Sequence, residues 1–380
     1  MKFHAEKVTL PGAVLTVAWV VVDELYRMQV EASTYLESLR GRHCSPNTLR
    51  NYASRVALYL TWCDERGLSW SAPGFENLVK FRDWLVSEPL PARGKKPPAR
   101  VRFRSDGSAD AVLGTMTEFL GFGVQHGWVS VDFALMLSHP KYLRFLPQGF
   151  SAGEGGRFRE IQTRTLKFKG DTPGIEFLTA EQVELMTRLA RNARDRFLIV
   201  LMRATGMRIG ETLGLRREDL HLLPDSRGLG CFHQGPHVHV RRRDDNANNA
   251  LAKSRVARVI PVEAEVIDYY REYQWEREQV PEAAGCDMVF VNLFRAPLGG
   301  AMSYPNAKQL FDRIATWAEI VARPHMMRHT AGTEWLEAGV PDDVVSDLLG
   351  HQSPQSLKPY KHVRDRRKRE AVERVAAARR

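Results

Sequence analysis

The stretch Ala204-Thr205-Gly206-Met207-Arg208-Ile209-Gly210-Glu211 decides how the second half of this chain reads. Phe197 to Thr205 has the pattern of a buried helix, and Gly206 stops it. Arg208 follows two residues later, where the next helix begins, so backbone N–H groups there can face an anion. Glu211, one turn on, can hold the guanidinium in place. An arginine and a glutamate one turn apart also make a common surface ion pair, so it is the whole string that carries weight.

Upstream, Thr179-Ala180-Glu181-Gln182 is a capping box that starts a helix. Downstream, His237-Val238-His239-Val240 alternates, a polar turn runs from Asp244 to Asn249, and Arg255 to Val262 alternates again, which predicts a β-hairpin. Lys253 sits where that hairpin returns. From Glu263 onward the pattern is mostly helical, broken at 281–285 and 294–300. It contains three further motifs: His325-Met326-Met327-Arg328, Leu349-Gly350-His351 and Tyr360-Lys361-His362-Val363. Pro324 opens a helix, and His325 and Arg328 share one of its faces. His351 follows a glycine turn at a helix end.

Two arginines, two histidines, a lysine and a tyrosine suit metal-free cleavage of a phosphodiester. Arginine donates two parallel hydrogen bonds to phosphate oxygens and stays charged. A phenol has a pKa near ~10 and needs neighbouring cations and a base before it attacks. In this order the motifs resemble the tyrosine recombinases, the integrases of phages and transposons, over about residues 179–363. The resemblance implies Arg208 and Arg328 as phosphate clamps, His325 in proton transfer and His351 as a donor to a phosphate oxygen. It also implies Lys253 as the acid for the leaving 5′-oxygen and Tyr360 as the nucleophile, with Glu211 supporting Arg208. Arg255 and Arg258 are alternatives to Lys253, although an arginine gives up a proton poorly; with Arg50 and Arg55 they are also the candidate DNA contacts. The product would be a 3′-phosphotyrosyl link, which conserves bond energy, so no ATP is expected; with no Walker-type glycine loop, carboxylate cluster or Cys/His ligand set of the right spacing, neither is a metal or other cofactor.

Other patterns bear on this reading. His325 and His329 have i,i+4 spacing, but no glutamate follows His325, so the zinc-hydrolase pattern is missing. Cys231, His233, His237 and His239 also cluster, on a run whose faces alternate, and are expected to be solvated strand histidines; no metal is expected. Pro359 would interrupt a helix started by Ser353-Pro354, at about 3 kcal/mol, which leaves the resting position of Tyr360 open. The run Arg364 to Glu370 reads as a basic helix.

The N-terminal third is helical. Ser45-Pro46 starts the clearest helix, with Leu49, Tyr52, Val56, Tyr59 and Cys63 on one face and Arg50 and Arg55 off it. Phe75–Ser87 and Ala109–Gln125 follow. A short strand is expected within Ala13–Val22, which is too short to span a bilayer and lacks signal-peptide flanks. Residues 140–173 are Gly-rich and basic, as in a linker strapped across a phosphate backbone. The expected architecture is mainly α with a small antiparallel β-sheet. Residues 1–139 form an N-terminal helical core-binding, SAM-like domain, 140–173 a linker, and 174–380 an α+β catalytic domain.

At 380 residues, with 43% hydrophobic and 26% charged residues, the chain suits two globular domains. Its net charge of +10 points to a polyanionic partner. Four scattered cysteines with no Cys-x-x-Cys pair indicate reduced thiols, and a cytoplasmic protein is expected. By resemblance the partner is double-stranded DNA at specific recombination sites. It would be bound by a homo-oligomer, a tetramer in the synapse, with room for an accessory directionality factor. Competing readings are a type IB topoisomerase, with shared chemistry, and a non-catalytic DNA-binding regulator that keeps the fold.

Overall fold

Antiparallel strands β1 (His4–Leu10) and β2 (Thr16–Val22) begin the chain in the computed structural model. The structure describes residues 2–10, 16–91, 101–145, 159–168, 176–254, 256–351, 356–357, 360 and 372–373. It divides into two units, Met1–Thr172 and Pro173–Arg380.

Five helices follow in the first unit: α1 (Val30–Gly41), α2 (Pro46–Asp64), α3 (Phe75–Ser87), α4 (Asp106–Gln125) and α5 (Val131–Leu137). Ser45, Ser105 and Ser130 each accept a backbone N–H at the start of a helix, worth about 1 kcal/mol apiece. Leu49, Val56, Tyr59 and Cys63 are buried along one face of α2, as their spacing predicts. They pack with Leu36, Phe81, Leu113 and Phe119 from the other helices.

The segment read as a linker strap contributes a pair of strands. β3 (Ser138–Tyr142) pairs antiparallel with β4 (Glu160–Arg164). Arg164 donates to the Asp110 carboxylate at 2.7 Å, and Asp110 also accepts the Phe168 amide at 3.0 Å. Leu166 and Phe168 pack on the first unit's core. The expected phosphate strap is thus, over 159–168, part of the N-terminal fold; Arg157 and Lys169 lie outside the described residues.

In the second unit Thr179 and Gln182 form the expected capping box of α6 (Ala180–Leu189). Then come α7 (Ala193–Thr205), α8 (Ile209–Leu213), β5 (Leu220–His221), β6 (His237–Val240), β7 (Arg258–Pro261), α9 (Ala264–Glu278), α10 (Tyr304–Trp317), α11 (Pro324–Glu337) and α12 (Asp342–Leu349). The expected hairpin is present and gains a third strand, in the order β5-β6-β7, antiparallel throughout. Its Val238, Val240 and Ile260 pack into a core with Phe197, Leu201, Tyr273, Phe290 and Phe311.

Helix α11 is buried on nearly every side, from Met326 and Met327 to Leu336. Two polar ties fix it: Arg203 of α7 pairs with Glu334 at 2.9 Å, and Thr330 exchanges hydrogen bonds with the Leu178 backbone. A small separate apolar cluster, Leu336, Val345, Leu349, Leu357 and Tyr360, sits beside it. Ser353, Pro354, Pro359 and the expected basic helix 364–370 lie outside the described residues. Among those described, no helix is long and apolar enough to cross a membrane.

Candidate active site

Arg208 is the N-cap of α8, where the sequence places it. Gly206 makes this possible by adopting φ +59°, ending α7 in a left-handed turn. A side chain there would also strike Leu349 Cδ2 at 2.7 Å. Glu211, fully buried, accepts the Arg208 amide at 3.0 Å and its guanidinium at 3.1 Å. Burial opposes its charge. The hydrogen bond and charge of Arg258, with the Arg208 amide and guanidinium, nevertheless hold Glu211 below the usual carboxylate range.

Arg328 is the joint of the site. Its side chain is buried, donating to the Gly206 carbonyl at 3.0 Å and the Leu349 carbonyl at 2.6 Å. One guanidinium on α11 therefore ties the residue two before Arg208 to the residue two before His351. Gly350 ends α12 in the left-handed region, φ +64°, and presents His351. Burial, then the charges of Arg328, Arg208 and Arg258, push the His351 imidazole down to about 4, and its buried Nδ1 has no partner. His351 is thus a neutral ring among cations.

Tyr360 is buried against α11. Its hydroxyl lies 3.2 Å from His329 Nδ1. Gly332 makes room for the ring: a Cβ there would stand 2.7 Å from the hydroxyl. Burial raises the phenol to about 12, against the attraction of Arg328 and Arg208. Burial, with His325 and Arg328, pushes His329 down to about 4. At neutral pH a neutral phenol faces a neutral imidazole. His329, considered above only as a metal partner of His325, is the residue at the hydroxyl. Its spacing of one turn from His325 was the available signal, and Gly332, one turn further, is a second.

His325 keeps an exposed edge on the first turn of α11, its ring 4.4 Å from that of His329. Burial of the remainder, then the charges of Arg328, Arg208 and Lys253, hold it below the ordinary imidazole range. Lys253 is exposed between β6 and β7. The structure thus gathers Arg208, Glu211, Arg328, His351 and Tyr360 around α11, with His325 and Lys253 at the rim.

Two expectations, for Arg258 and for the strand histidines, need correction. Arg258 is no surface contact: its guanidinium is buried, pairing with Glu211 at 2.7 Å and donating to the Leu348 carbonyl at 2.9 Å. It braces α8 and α12 against β7. Arg55 donates to Thr115 and is half-buried, while Arg50 remains exposed beside the Trp19 ring; Arg255 lies outside the described residues. The strand histidines are not solvated, since His237 is buried and His239 partly so, and His221 and Cys231 close on them.

Comparison with known proteins agrees with this arrangement. Residues 32–95 match the N-terminal SAM-like domain of phage integrases. Transposase A from transposon Tn554 of Staphylococcus aureus is 26% identical over 353 residues, covering 91% of each chain. Tyrosine recombinase XerD of Corynebacterium glutamicum is 25% identical over 342 residues, 89% of this chain and 94% of that protein. Among solved structures, a lambda integrase dimer bound to a core site has a TM-score of 0.55 at 15% identity, covering 87% of this chain and 94% of that one. XerH recombinase bound to its difH substrate has a TM-score of 0.55 at 17% identity, with 92% and 86% covered. These structures share the fold. Residues 176–367, half of the chain, match the phage integrase family itself, and the chain belongs to that family, the tyrosine recombinases.

Proposed function

We propose that this protein cuts and rejoins double-stranded DNA at specific sites through Tyr360, as a multimer that pairs two sites in a tetramer and passes through a Holliday junction. One observation carries the reading. Arg328 bonds the Gly206 and Leu349 carbonyls together, which supports a single cationic cradle made from Arg208, Arg328 and His351. A phosphodiester is the anion such a cradle fits.

In this reading Arg208 and Arg328 stabilise the charge that develops on the non-bridging oxygens. Lys253 delivers a proton to the leaving 5′-oxygen. Tyr360 attacks phosphorus, the P–O5′ bond breaks, and a 3′-phosphotyrosyl ester and a free 5′-hydroxyl remain. The docked phenol at about 12 is a resting nucleophile. A phosphate drawn to the arginines gives it a reason to leave the apolar cluster, and His329 or His325, both neutral, can accept its proton.

The test uses a duplex with a nick beside the cut site, so that the released fragment diffuses away and covalent protein accumulates. Cleavage in EDTA without nucleotide is expected for the natural chain. Tyr360→Phe should give no covalent product while DNA affinity stays nearly unchanged, because phosphate contacts dominate binding. Trapping by the Phe variant would remove Tyr360 from the mechanism.

A further inference from the structure

The β5-β6-β7 sheet has two faces. Val238, Val240 and Ile260 cover the core. His221 lies directly across from His237 in the strand register, so both point from the other face, and His239 joins them two residues along. Cys231, on the loop between β5 and β6, brings its thiol onto this trio. Its Sγ is 3.3 Å from His237 Nε2 and 3.4 Å from His239 Nε2, and those two nitrogens are 3.2 Å apart. One ligand atom from each of the four residues lies within 4.8 Å of every other.

The outer hydrogen bonds say which atoms carry lone pairs. His237 Nδ1 is 2.7 Å from the Gly235 carbonyl, and His221 Nε2 is 3.2 Å from the Glu218 carbonyl. A carbonyl only accepts, so both of these nitrogens bear the proton, and the remaining nitrogen of each ring is a bare acceptor. His221 Nδ1 is buried and has no hydrogen-bond partner among the described residues. Leaving such an acceptor unmet is costly, and the only donors within the group are one imidazole N–H and a weak S–H. Lone pairs outnumber protons, and a cation would satisfy all of them. Backbone carbonyls that fix ring tautomers from outside are the usual support of metal-binding histidines.

We propose that His221, Cys231, His237 and His239 bind one zinc ion in a closed tetrahedral site that clasps the β5–β6 loop to the sheet. With Zn–N near ~2.0–2.1 Å and Zn–S near ~2.3 Å, a tetrahedron has N–N edges of roughly 3.3 Å and N–S edges of roughly 3.6 Å. The three close approaches above fall within a few tenths of an ångström of those values. A thiolate with three imidazoles selects zinc over calcium or magnesium. Four protein ligands leave no open position, so the ion is structural and takes no part in strand cleavage. Because the His221 and His237 lone pairs are oriented before the metal arrives, binding stabilises the folded state directly.

The experiment uses the full chain without a histidine tag, grown with zinc. Elemental analysis should find about one zinc per chain, and a strong chelator should lower the melting temperature. After stripping, cobalt(II) should restore stability and give the visible bands of tetrahedral cobalt with a near-ultraviolet thiolate-to-cobalt band. Cys231→Ser should lose that band, and His237→Ala should lose the metal. His233→Ala, whose ring neighbours the group without being a ligand, should keep it. A chain that is purified free of zinc and gives no tetrahedral cobalt spectrum overturns the proposal; so does stoichiometric copper in zinc's place, or loss of zinc from His233→Ala. The cobalt spectrum of the natural chain decides the matter even where a variant fails to fold.

Discussion

The catalytic unit holds two groups of histidines with opposite surroundings. Around α11, His351 and His325 are faced by the charges of Arg328 and Arg208. On the outer face of the sheet, His221, His237 and His239 face one another and a thiol. Burial and those charges hold the first group neutral, while the second turns its ring nitrogens and a thiol towards one another. A neutral imidazole among guanidiniums leaves the positive field unopposed for an anion, whereas imidazoles whose lone pairs converge present a negative pole to a cation. Residue type alone does not separate the two groups. The neighbours do, and they assign phosphate to one and zinc to the other.

The sharpest way to break the first half of that comparison is to ask whether the cradle works on a phosphodiester's leaving group. Lys253→Ala should slow cleavage of an ordinary strand by about 10²–10⁴-fold, the range of general acid catalysis. A bridging 5′-phosphorothiolate leaves as a thiolate and needs little protonation, so the same variant should cut it at nearly the natural rate. Arg208→Ala should remain slow on both substrates, since it acts on the non-bridging oxygens. Equal defects of Lys253→Ala on the two substrates would make the lysine a positioning residue.

A somewhat smaller effect separates charge from geometry. Arg208→Lys and Arg328→Lys keep the positive field but lose the paired donation to phosphate, and each should cost about 10²–10³-fold in cleavage rate. The two should differ in stability. Arg328 holds two backbone carbonyls, and a lysine would leave at least one of them unmet, at about 1–3 kcal/mol. Among the described residues the Arg208 side chain pairs with Glu211, within its own helix turn, so its variant should melt close to the natural chain. Similar melting of both would show that Arg328 is not the joint of the site.

What was legible in the sequence follows from how local each signal is. Ser45-Pro46, Thr179–Gln182 and the Gly206–Arg208 turn act through backbone within one helical turn, and they appear where expected. The alternation of His237 to Val240 correctly put both histidines on one face. It could not say that the face is covered, because covering it takes Cys231 from a loop and His221 from a strand of two residues, too short to show a period. Arg258 reads as a surface cation in one dimension, and only folding places it between Glu211 and Leu348. His329 and Gly332 share the face of α11 that Tyr360 packs on, yet their use depends on a residue 31 positions from His329. Arg164 reads as part of a basic strap because its partner, Asp110, lies 54 positions away.

The smallest effect expected is in stability against pH, and it tests the arginine ring directly. His351 is held at about 4 by burial and by Arg328, Arg208, Arg258 and His329, against about 6.5 when unfolded. Between those values the unfolded chain binds more protons than the folded one. Stability from this source is therefore complete above about pH 6.5 and lost as pH falls towards 4. Carboxylates such as Glu211 also weaken at low pH, so a difference of differences is needed. The drop in melting temperature between the two ends of that window should be smaller for His351→Gln than for the natural chain. Adding a short duplex should shrink the natural chain's drop as well, because phosphate in the cradle offsets the arginines and makes a protonated His351 less costly. A duplex that binds without changing the drop would place the phosphate away from His351, and the comparison between the two histidine groups would lose its first half.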